Sequence, residues 1–470
     1  MFGFVLNPAV GSITRQLCAH LRNMIETGEL WQGMRLPPTR KVSQELRVAR
    51  NVVIEVYEQL TAEGYLESRV GSGTYIAEGI HIRTGANQPA AMLQHNPSNR
   101  AKERQDIIDF NSGTPDLRLF PRKLWGKYVR EVTEYSPDEV FNYGDPQGEP
   151  ELRAAIARYM FRVKGIRCSP DQLFIVSGSS EGFLLIASAC SPMFLTVYVE
   201  DPTVDFIPDI FRRMGYTIRP VGVDRQGMEV DSIAPAEPRG LLLVTPSHQY
   251  PTGSIMSIQR RQQAVILAEA AGHYIVEDDY DSEFRHKGVP VPPLQALAPS
   301  RVIYAATFSK TLSPGLRLGF LAVPPQLVDT FVRVKTELNL SSPAIIQLAL
   351  ARIIENGHFD RHIHKMKTVY KNRLFHLKAE MKRYFGKDAD ICGDETGLHV
   401  QVVFPSEPYG CLNWAEAESF GVRLSSFEDY AIAKGRHRNN IVFGYGKLNE
   451  EEIAEGVRRL HRFVASRLPV

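Results

Sequence analysis

The chain has 470 residues, 43% of them hydrophobic, and carries 55 basic and 53 acidic side chains, a formal net charge of +2. This length and apolar content exclude a small peptide or a disordered tail and predict two or more packed domains. The near-neutral charge excludes a global electrostatic attraction to nucleic acid or membrane, so any such contact must come from a local patch.

The amino-terminal residues and the cysteines indicate the compartment. The first twenty residues lack a basic start followed by an apolar stretch, and the most apolar run, Phe183 to Val199, is interrupted by Pro192. We therefore expect neither a secretory signal nor a membrane span. Five cysteines lie far apart without a C-x-x-C pair, which predicts no disulfide framework and no metal site. These features favour a soluble protein of the cytoplasm.

The amino-terminal segment has the pattern of three helices and a hairpin. Residues 12 to 27 place apolar side chains at helical spacing and predict a first amphipathic helix. Two short helices follow, the first capped by Thr39 and the second starting near Arg50, and a tight turn between them completes a helix-turn-helix pattern. Strand-like residues on both sides of Gly71-Ser72-Gly73 predict a β-wing.

The distribution of charge in this segment favours DNA binding. Residues 1–78 hold eight basic and eight acidic side chains, but residues 35–50 hold five basic ones against Glu45 alone. A recognition helix contacts base edges through its first residues, while basic groups on the preceding helix and the wing meet phosphates. A small helical docking module with a solvated basic face is the alternative. The predicted DNA-binding residues are Arg35, Arg40, Lys41, Arg50, Asn51, Arg69 and Gly71.

Three blocks in this segment carry a family resemblance. In order, R-L-P-P-T-R-K-V-S-Q-E-L, R-N-V-V-I-E-V-Y-E-Q-L-T-A-E-G-Y-L and G-S-G-T-Y-I resemble the winged helix-turn-helix of GntR-type bacterial transcription regulators. The resemblance implies that the partner is double-stranded operator DNA. The residues that follow show no sustained apolar period and predict a flexible linker. We therefore expect a DNA-binding domain at 1–78, a linker at 79–106 and a larger domain at 107–470.

In the larger domain, short apolar runs alternate with helical segments, which predicts buried parallel strands in an α/β domain. Ligands of such sheets lie beyond the carboxyl ends of the strands, so the residues directly after each run are candidates. Ser177-Gly178-Ser179-Ser180 opens a helix, whose free N–H groups and hydroxyls can hold a phosphate. Asp278 and Tyr280, two residues apart at a strand end, project to the same face.

A lysine after another strand completes a set that matches pyridoxal phosphate (PLP). This cofactor has an aldehyde that reacts with a lysine amine, a protonated pyridine nitrogen, a phenolic oxygen and a phosphate dianion. We expect Lys310 to form the Schiff base, Asp278 to pair with the ring nitrogen and Tyr280 to bond the phenolic oxygen. Taken singly, each of these residues is also common on ordinary surfaces. The predicted phosphate ligands are Ser179, Ser180, Ser309 and Arg317.

The motifs that surround these residues resemble a known enzyme family. S-G-S-S-E-G-F, T-P-S-H-Q-Y-P-T-G, E-D-D-Y-D-S-E-F and T-F-S-K-T-L-S-P-G-L-R-L-G resemble the fold-type I aminotransferase domain, in the version carried by MocR/GabR-type regulators. The resemblance implies an α/β fold with a mixed, mostly parallel sheet, helices on both faces and a smaller C-terminal lobe. It also implies a head-to-tail homodimer in which Tyr143 enters the partner's cofactor site. The predicted cofactor-binding residues are Ser179, Ser180, His248, Asp278, Tyr280, Thr307, Ser309, Lys310, Arg317 and Tyr143, with Lys310 also as the catalytic residue and His248 supporting the others from behind.

Two departures from this family argue against a working transaminase. Val204 stands where an aromatic residue commonly stacks on the cofactor ring, although Phe206 can substitute. Val442 aligns with the arginine that binds the substrate carboxylate, although Arg423 or Arg438 can compensate. We therefore expect a regulator with at most weak transaminase activity, which senses PLP itself and controls PLP synthesis genes, as PdxR-type members do. A sensor of γ-aminobutyrate, taurine or a similar amino acid through an external aldimine, and an active aminotransferase, are the alternatives.

Overall fold

The computed structural model of the protein describes residues 11–80, 107–234 and 236–468. The chain divides into two compact units, Met1–Arg100 and Ala101–Val470. Apart from positions 79 and 80, the predicted linker at 79–106 lies outside the described residues. No helix within the described part of the chain is both long enough and apolar enough to cross a membrane.

The first unit is a winged helix-turn-helix, as predicted. Apolar side chains from all three helices and both strands form one core, because each element buries a single face of its pattern. The two strands pair antiparallel, and Val70 lies fully exposed at the tip between them. The elements are α1 (Ile13–Glu26), α2 (Thr39–Leu46), α3 (Arg50–Ala62), β1 (Leu66–Arg69) and β2 (Gly73–Ile76).

The start of α2 differs from the sequence prediction. Thr39 is the first helical residue, and Pro38 occupies the N-cap position without a side-chain hydrogen bond. The Pro38 carbonyl instead accepts hydrogen bonds from the N–H groups of Lys41, at 2.8 Å, and Val42, at 3.2 Å. The prediction that Thr39 caps the helix is therefore wrong by one position, because proline with its fixed φ makes the entry to the helix.

The second unit is built on an eight-stranded sheet in the order β4-β11-β10-β9-β8-β5-β6-β7. Strand β11 runs antiparallel to both of its neighbours and β7 runs antiparallel to β6, while the remaining pairs are parallel. This confirms the predicted mixed, mostly parallel sheet. The strands are β4 (Leu173–Val176), β5 (Thr196–Asp201), β6 (Thr217–Asp224), β7 (Gly227–Met228), β8 (Leu241–Val244), β9 (Tyr274–Asp279), β10 (Val302–Thr307) and β11 (Gly319–Ala322), preceded by the short strand β3 (Ile108–Asp109).

Helices cover both faces of this sheet. Alternate residues of one strand enter different apolar clusters: Leu241 and Leu243 pack on one face, and Leu242 and Val244 on the other. Strands buried on both faces require the continuous apolar runs seen in the sequence. The helices of the second unit are α4 (Arg122–Tyr135), α5 (Pro150–Lys164), α6 (Ser179–Cys190), α7 (Phe206–Arg213), α8 (Ile258–Ala271), α9 (Leu294–Leu297), α10 (Val328–Asn339), α11 (Ala344–Glu355), α12 (His358–Phe385), α13 (Ser406–Tyr409), α14 (Phe427–Tyr430) and α15 (Glu450–Arg467).

The carboxyl-terminal part forms the expected smaller lobe around a four-stranded antiparallel sheet, in the order β12-β13-β16-β15. The long helix α12 and the last helix α15 pack on this sheet through one apolar cluster. Strand β14 pairs with β3 near the start of the unit. The strands of this lobe are β12 (Asp390–Cys392), β13 (His399–Val403), β14 (Val422–Arg423), β15 (Ser425–Ser426) and β16 (Asn440–Gly444).

Candidate functional site

A cavity of about 390 Å³ lies at the carboxyl ends of the parallel strands of the second unit. Such strands end at one edge of the sheet, so residues far apart in the chain meet there. The structure therefore brings most of the predicted cofactor residues into a single wall. Those that line the cavity are Ser179, Ser180, Asp278, Tyr280, Thr307, Ser309, Lys310 and Arg317.

The Lys310 amine lies inside this cavity and donates a hydrogen bond to the carbonyl oxygen of Gly113. Burial lowers the pKa of the amine, although the carboxylates of Asp281 and Asp278 act in the opposite direction. A Cβ atom at Gly113 would lie 3.2 Å from the Lys310 nitrogen, and the φ of +98° at this position also favours glycine. The site thus holds a partly desolvated amine, which is suited to attack an aldehyde.

Asp278 belongs to β9 and faces the cavity. Burial, together with the neighbouring Asp279 and Glu200 carboxylates, raises the pKa of the Asp278 carboxyl to about 8, against the opposing effect of Lys310. The carboxyl therefore holds a proton near neutral pH while no cation lies against it. A protonated ring nitrogen at this place would favour the carboxylate, so Asp278 fits the pyridine nitrogen of PLP.

Tyr280 is held in place by the loop after β8. Its hydroxyl donates to the carbonyl oxygen of His248 at 2.9 Å and lies 3.2 Å from Nδ1 of the same residue. Burial, together with the nearby Asp281 carboxylate, raises the pKa of Tyr280 well above its ordinary value, so the phenol stays protonated. His248 itself is buried behind Tyr280 and is not among the residues that line the cavity.

The opposite end of the cavity has the features of a phosphate cradle. Helix α6 begins at Ser179 without a side-chain cap, because its N-cap residue is Gly178. The Arg317 guanidinium lies beside this helix start, and no carboxylate among the described residues pairs with it. Ser309 completes the wall, with its N–H directed to Thr307 Oγ1 at 3.2 Å. Open N–H groups and an uncompensated cation fit a dianion.

Gly178 is required by this arrangement, and we expect Gly178→Ala to destabilise the protein. The residue has a φ of +91° and a ψ of 178°, a region that only glycine populates readily. A Cβ atom would also lie 3.0 Å from the Arg317 nitrogens. The expected loss is about 1–3 kcal/mol in the free energy of unfolding, measured by chemical denaturation.

The control for this variant is Gly126→Ala. Gly126 lies within α4, where a Cβ atom meets nothing within 4 Å. This change is expected to stabilise the protein by about 0.5–1 kcal/mol, because alanine loses less backbone entropy than glycine in a helix. Equal effects of the two substitutions would contradict the role given to Gly178.

The wall of the cavity differs from the sequence prediction in two ways: a predicted residue, Tyr143, is absent from it, and several unpredicted residues belong to it. Tyr143 is 81% exposed and does not line the cavity of its own chain, so its role in a partner's site stays a prediction. The structure also adds residues to the wall that sequence reasoning missed. The quoted motifs E-D-D-Y-D and T-P-S-H-Q-Y-P-T-G contained signals for Asp281 and Tyr250, whereas His399 and Tyr430 come from segments without such a motif. The added polar and aromatic residues include Ser112, Thr203, Tyr250, Asp281, His399 and Tyr430.

None of the arginines considered as a carboxylate clamp lines the cavity. Val442 is buried in β16 opposite Gln401. Arg423 pairs with Glu418 at 3.0 Å, and Arg438 lines a different depression of the smaller lobe. Arg317 is thus the only arginine that the described chain contributes to the wall. Val204 and Phe206 both lie in the wall, so an aromatic ring is present beside the valine.

The predicted DNA-binding residues lie on the surface of the first unit. All seven are exposed. Arg50 and Asn51 begin α3, whose N-cap Ala49 makes no side-chain hydrogen bond, so the first N–H groups of this helix stay open to a phosphate. In the wing, the Arg69 guanidinium lies 4.7 Å from the centre of the Tyr75 ring. This contact holds a cation at the edge of the wing.

Comparisons with known proteins agree with both units. The family described as "Aminotransferase class I and II" matches residues 105–431, and the family described as "Bacterial regulatory proteins, gntR family" matches residues 13–76. The chain is 33% identical over 457 residues to the probable rhizopine catabolism regulatory protein MocR of Rhizobium meliloti, covering 95% of this chain and 92% of that protein. It is 30% identical over 445 residues to the pyridoxine biosynthesis transcriptional regulator PdxR of Corynebacterium glutamicum, covering 94% of each.

Solved structures extend the comparison for the larger unit. A multiple substrate aminotransferase from Thermococcus profundus superposes with a TM-score of 0.70 at 29% identity, covering 78% of this chain and 95% of that one. An archaeal alanine:glyoxylate aminotransferase gives a TM-score of 0.72 at 25% identity, covering 78% and 93%. The chain therefore belongs to the GntR-family transcription regulators of the MocR type, in which a winged helix-turn-helix is joined to an aminotransferase class I and II domain.

Proposed function

We propose that this regulator binds PLP at Lys310 and uses PLP as its effector to control genes of PLP synthesis. The similarity to PdxR over nearly the whole chain supports this assignment. So does the cavity, whose amine, carboxyl, phenol and phosphate cradle correspond to the four functional groups of the cofactor. We assign the DNA-binding head to residues 1–78, the tether to 79–106 and the effector domain to 107–470.

Each residue of the wall has a separate task in this proposal. When bound, PLP supplies an electrophilic aldehyde on a cationic ring. Lys310 offers an amine whose pKa burial has lowered, so that a larger fraction of it is uncharged. Asp278 balances the ring charge, and Tyr280 is oriented by its hydrogen bond to the His248 carbonyl. Ser179, Ser180, Ser309 and Arg317 hold the phosphate at the start of α6.

The distribution of charge in the cavity favours PLP over an amino acid as the effector. Besides Lys310 and Arg317, the ionisable side chains of the wall are those of Asp205, Asp278 and Asp281, together with His399 and tyrosines. If Arg317 is engaged by the phosphate, the carboxylate of an amino acid meets acidic groups and no arginine. The absent bidentate contact is worth roughly 1.5–3 kcal/mol, or about 10- to 150-fold in affinity.

We further propose a cytoplasmic head-to-tail homodimer that acts on paired half-sites. The exposed aromatic side chains of Tyr135, Phe141 and Tyr143 support a partner surface on the larger unit. Occupation of Lys310 would favour one of two arrangements of the effector domains, and the tethers would transmit this change to the heads.

The test is DNA binding by the full chain with and without PLP. A fragment selected by the protein from a random DNA pool serves as the operator, and band shifts report affinity and preferred half-site spacing. We expect a change in affinity or spacing when PLP is added, alongside a new visible absorbance. Identical DNA binding in both states would refute PLP sensing. Steady production of pyridoxamine phosphate and keto acid without sequence-specific DNA binding would establish the aminotransferase instead.

In the head, Arg50→Ala and Arg40→Ala are expected to weaken DNA binding in different ways. Arg50, at the start of α3, is placed to read a base, so its loss should weaken specific binding by about 10- to 100-fold and relax the sequence preference. Arg40 is placed to contact phosphates, so its loss should weaken binding to all DNA sequences alike. It should also reduce the slope of log affinity against log salt concentration by about 1. Fluorescence anisotropy at several salt concentrations measures both effects.

The control for the head is Arg22→Ala. Arg22 pairs with Glu63 through Nε at 3.2 Å, so its charge is already compensated within the unit. We expect DNA binding by this variant to stay close to the wild-type value. If Arg22→Ala weakened binding as much as Arg50→Ala, the assignment of the recognition surface would be wrong.

A further inference from the structure

At the wall of the cavity, three side chains from distant segments form a buried cluster, two of which line the cavity while the third lies behind Tyr280. His248 follows β8, Asp281 follows β9 and His399 lies in β13 of the smaller lobe, and each is 1% exposed. One potential ligand atom from each residue lies within 4.8 Å of the other two. The two imidazole rings are 4.4 Å apart between centres. The cluster thus joins the two lobes of the effector domain.

The hydrogen bonds leave one nitrogen of each imidazole unused. Nδ1 of His248 lies 2.9 Å from Oδ2 of Asp281, and the His399 ring bonds to the backbone carbonyl of Pro251. The Nε2 atoms of both histidines are buried and have no hydrogen-bond partner within the described part of the chain. A buried polar atom without a partner is destabilising by about 1–3 kcal/mol. In His399, whose ring is already bonded to Pro251, the unused Nε2 is free to act as a ligand atom, while His248 offers the Nδ1 beside Asp281.

The charge of Asp281 points to a cation. Its carboxylate is buried, and its direct hydrogen-bond partner is the His248 ring. Among the residues that the structure describes, no lysine or arginine lies within ion-pair distance of it. Buried carboxylates are normally paired with a cation or coordinate a metal. The cluster therefore combines a buried carboxylate, whose charge also acts on the Lys310 amine, with two buried imidazole rings.

We propose that His248, Asp281 and His399 bind a divalent transition-metal ion of the zinc class. Two imidazole nitrogens and one carboxylate oxygen are a ligand set that zinc accepts, with a fourth position for water. Bonds of about 2.0–2.1 Å bring tetrahedral ligand atoms to about 3.4 Å from one another, so small rotations of these side chains suffice. Gly397 leaves room for His248, since a Cβ atom there would lie 2.1 Å from the ring.

A metal here would act on the cofactor wall through its neighbours. Tyr280 contacts His248 through its hydroxyl, and Asp281 and His399 themselves line the cavity. The ion would fix the smaller lobe, through β13, against the loops that carry Tyr280. Metal occupancy is therefore expected to tighten the site and, because the Asp281 carboxylate raises the pKa of the Lys310 amine, to lower that pKa.

The experiment uses the full-length protein after dialysis against a chelator, titrated with zinc chloride by calorimetry and with cobalt chloride by visible absorbance. We expect one ion per chain, and the same stoichiometry in Lys310→Ala, which separates this site from PLP binding. His399→Gln should weaken zinc binding by about 100-fold or more, whereas His399→Cys, which retains a zinc ligand, should keep it.

The matched control is His364→Gln, because His364 is exposed on α12. This variant should bind zinc as the wild type does. The absence of stoichiometric binding in the wild type would overturn the proposal, and so would equal affinity in His399→Gln. A zinc-dependent rise in the thermal midpoint of the wild type, absent in His399→Gln but present in His399→Cys, provides a readout that does not depend on PLP.

Discussion

Lys310→Ala is expected to abolish the covalent attachment of PLP and, with it, the response of DNA binding to PLP. The Lys310 amine faces the cavity among Asp278, Tyr280 and Ser309, and it is the only lysine in the wall that the described residues form. Because burial lowers the pKa of this amine, it is the nucleophile most suited to an aldehyde at neutral pH.

Borohydride reduction followed by peptide mapping measures this result. The wild type should yield a single labelled peptide containing Lys310, and Lys310→Ala should yield none. Lys371→Ala is the matched control, since Lys371 is exposed on α12 and should not affect the label. Sequence-specific binding to DNA should survive in Lys310→Ala, because the first unit is unchanged. If Lys310→Ala kept its colour and its response to PLP, the assignment of this lysine would fail.

Asp278→Asn is expected to weaken PLP binding and, in the absence of PLP, to stabilise the fold. Loss of the Asp278 carboxylate removes a charged partner from the ring nitrogen of PLP. This interaction is worth roughly 1.5–3 kcal/mol, or about 10- to 150-fold in affinity. Equilibrium titration of PLP, followed by absorbance, measures this loss. The gain in stability has a separate cause: burial disfavours the charged form of Asp278, and asparagine carries no charge.

The stability of the PLP-free protein is expected to depend on pH because the pKa of Asp278 is raised in the folded chain. The pKa of Asp278 rises from an ordinary value of 3.8 to about 8 in the folded chain. Between these values the folded chain keeps a proton that the unfolded chain has lost, so the stability of the PLP-free wild type falls as the pH rises. The slope is at most about 1.4 kcal/mol per pH unit, and water in the cavity makes it smaller.

Thermal melts of PLP-free protein between pH 5 and pH 8 measure this effect. The stability advantage of Asp278→Asn over the wild type should grow across this range, because asparagine has no proton to lose. Asp231→Asn, at an exposed position, should show no such trend. A constant difference between Asp278→Asn and the wild type would show that Asp278 is already ionised in the free protein. Addition of PLP should reverse the order of stability.

Local patterns in the sequence were enough to predict both folds and most of the candidate residues that line the cavity. Apolar runs buried on both faces identified the parallel strands, and the polar residues after each run marked the sheet edge where ligands bind. Asp278, Thr307 and Lys310 meet because parallel strands share one carboxyl edge, which requires no knowledge of packing. The order of the helices and the hairpin in the first unit could also be predicted from neighbouring residues alone. The same holds for the basic residue at the start of α3.

The charge of this cavity, and the residues of the smaller lobe that reach it, depend on tertiary packing. His399 comes from a strand of the smaller lobe, 151 residues after His248, and no local pattern places the two rings together. The raised pKa of Asp278 likewise depends on burial beside Asp279 and Glu200. Local patterns encode strands, caps and turns, because these involve neighbours in the chain. Desolvation and contacts between lobes depend on packing, which brings distant segments together only in the folded protein.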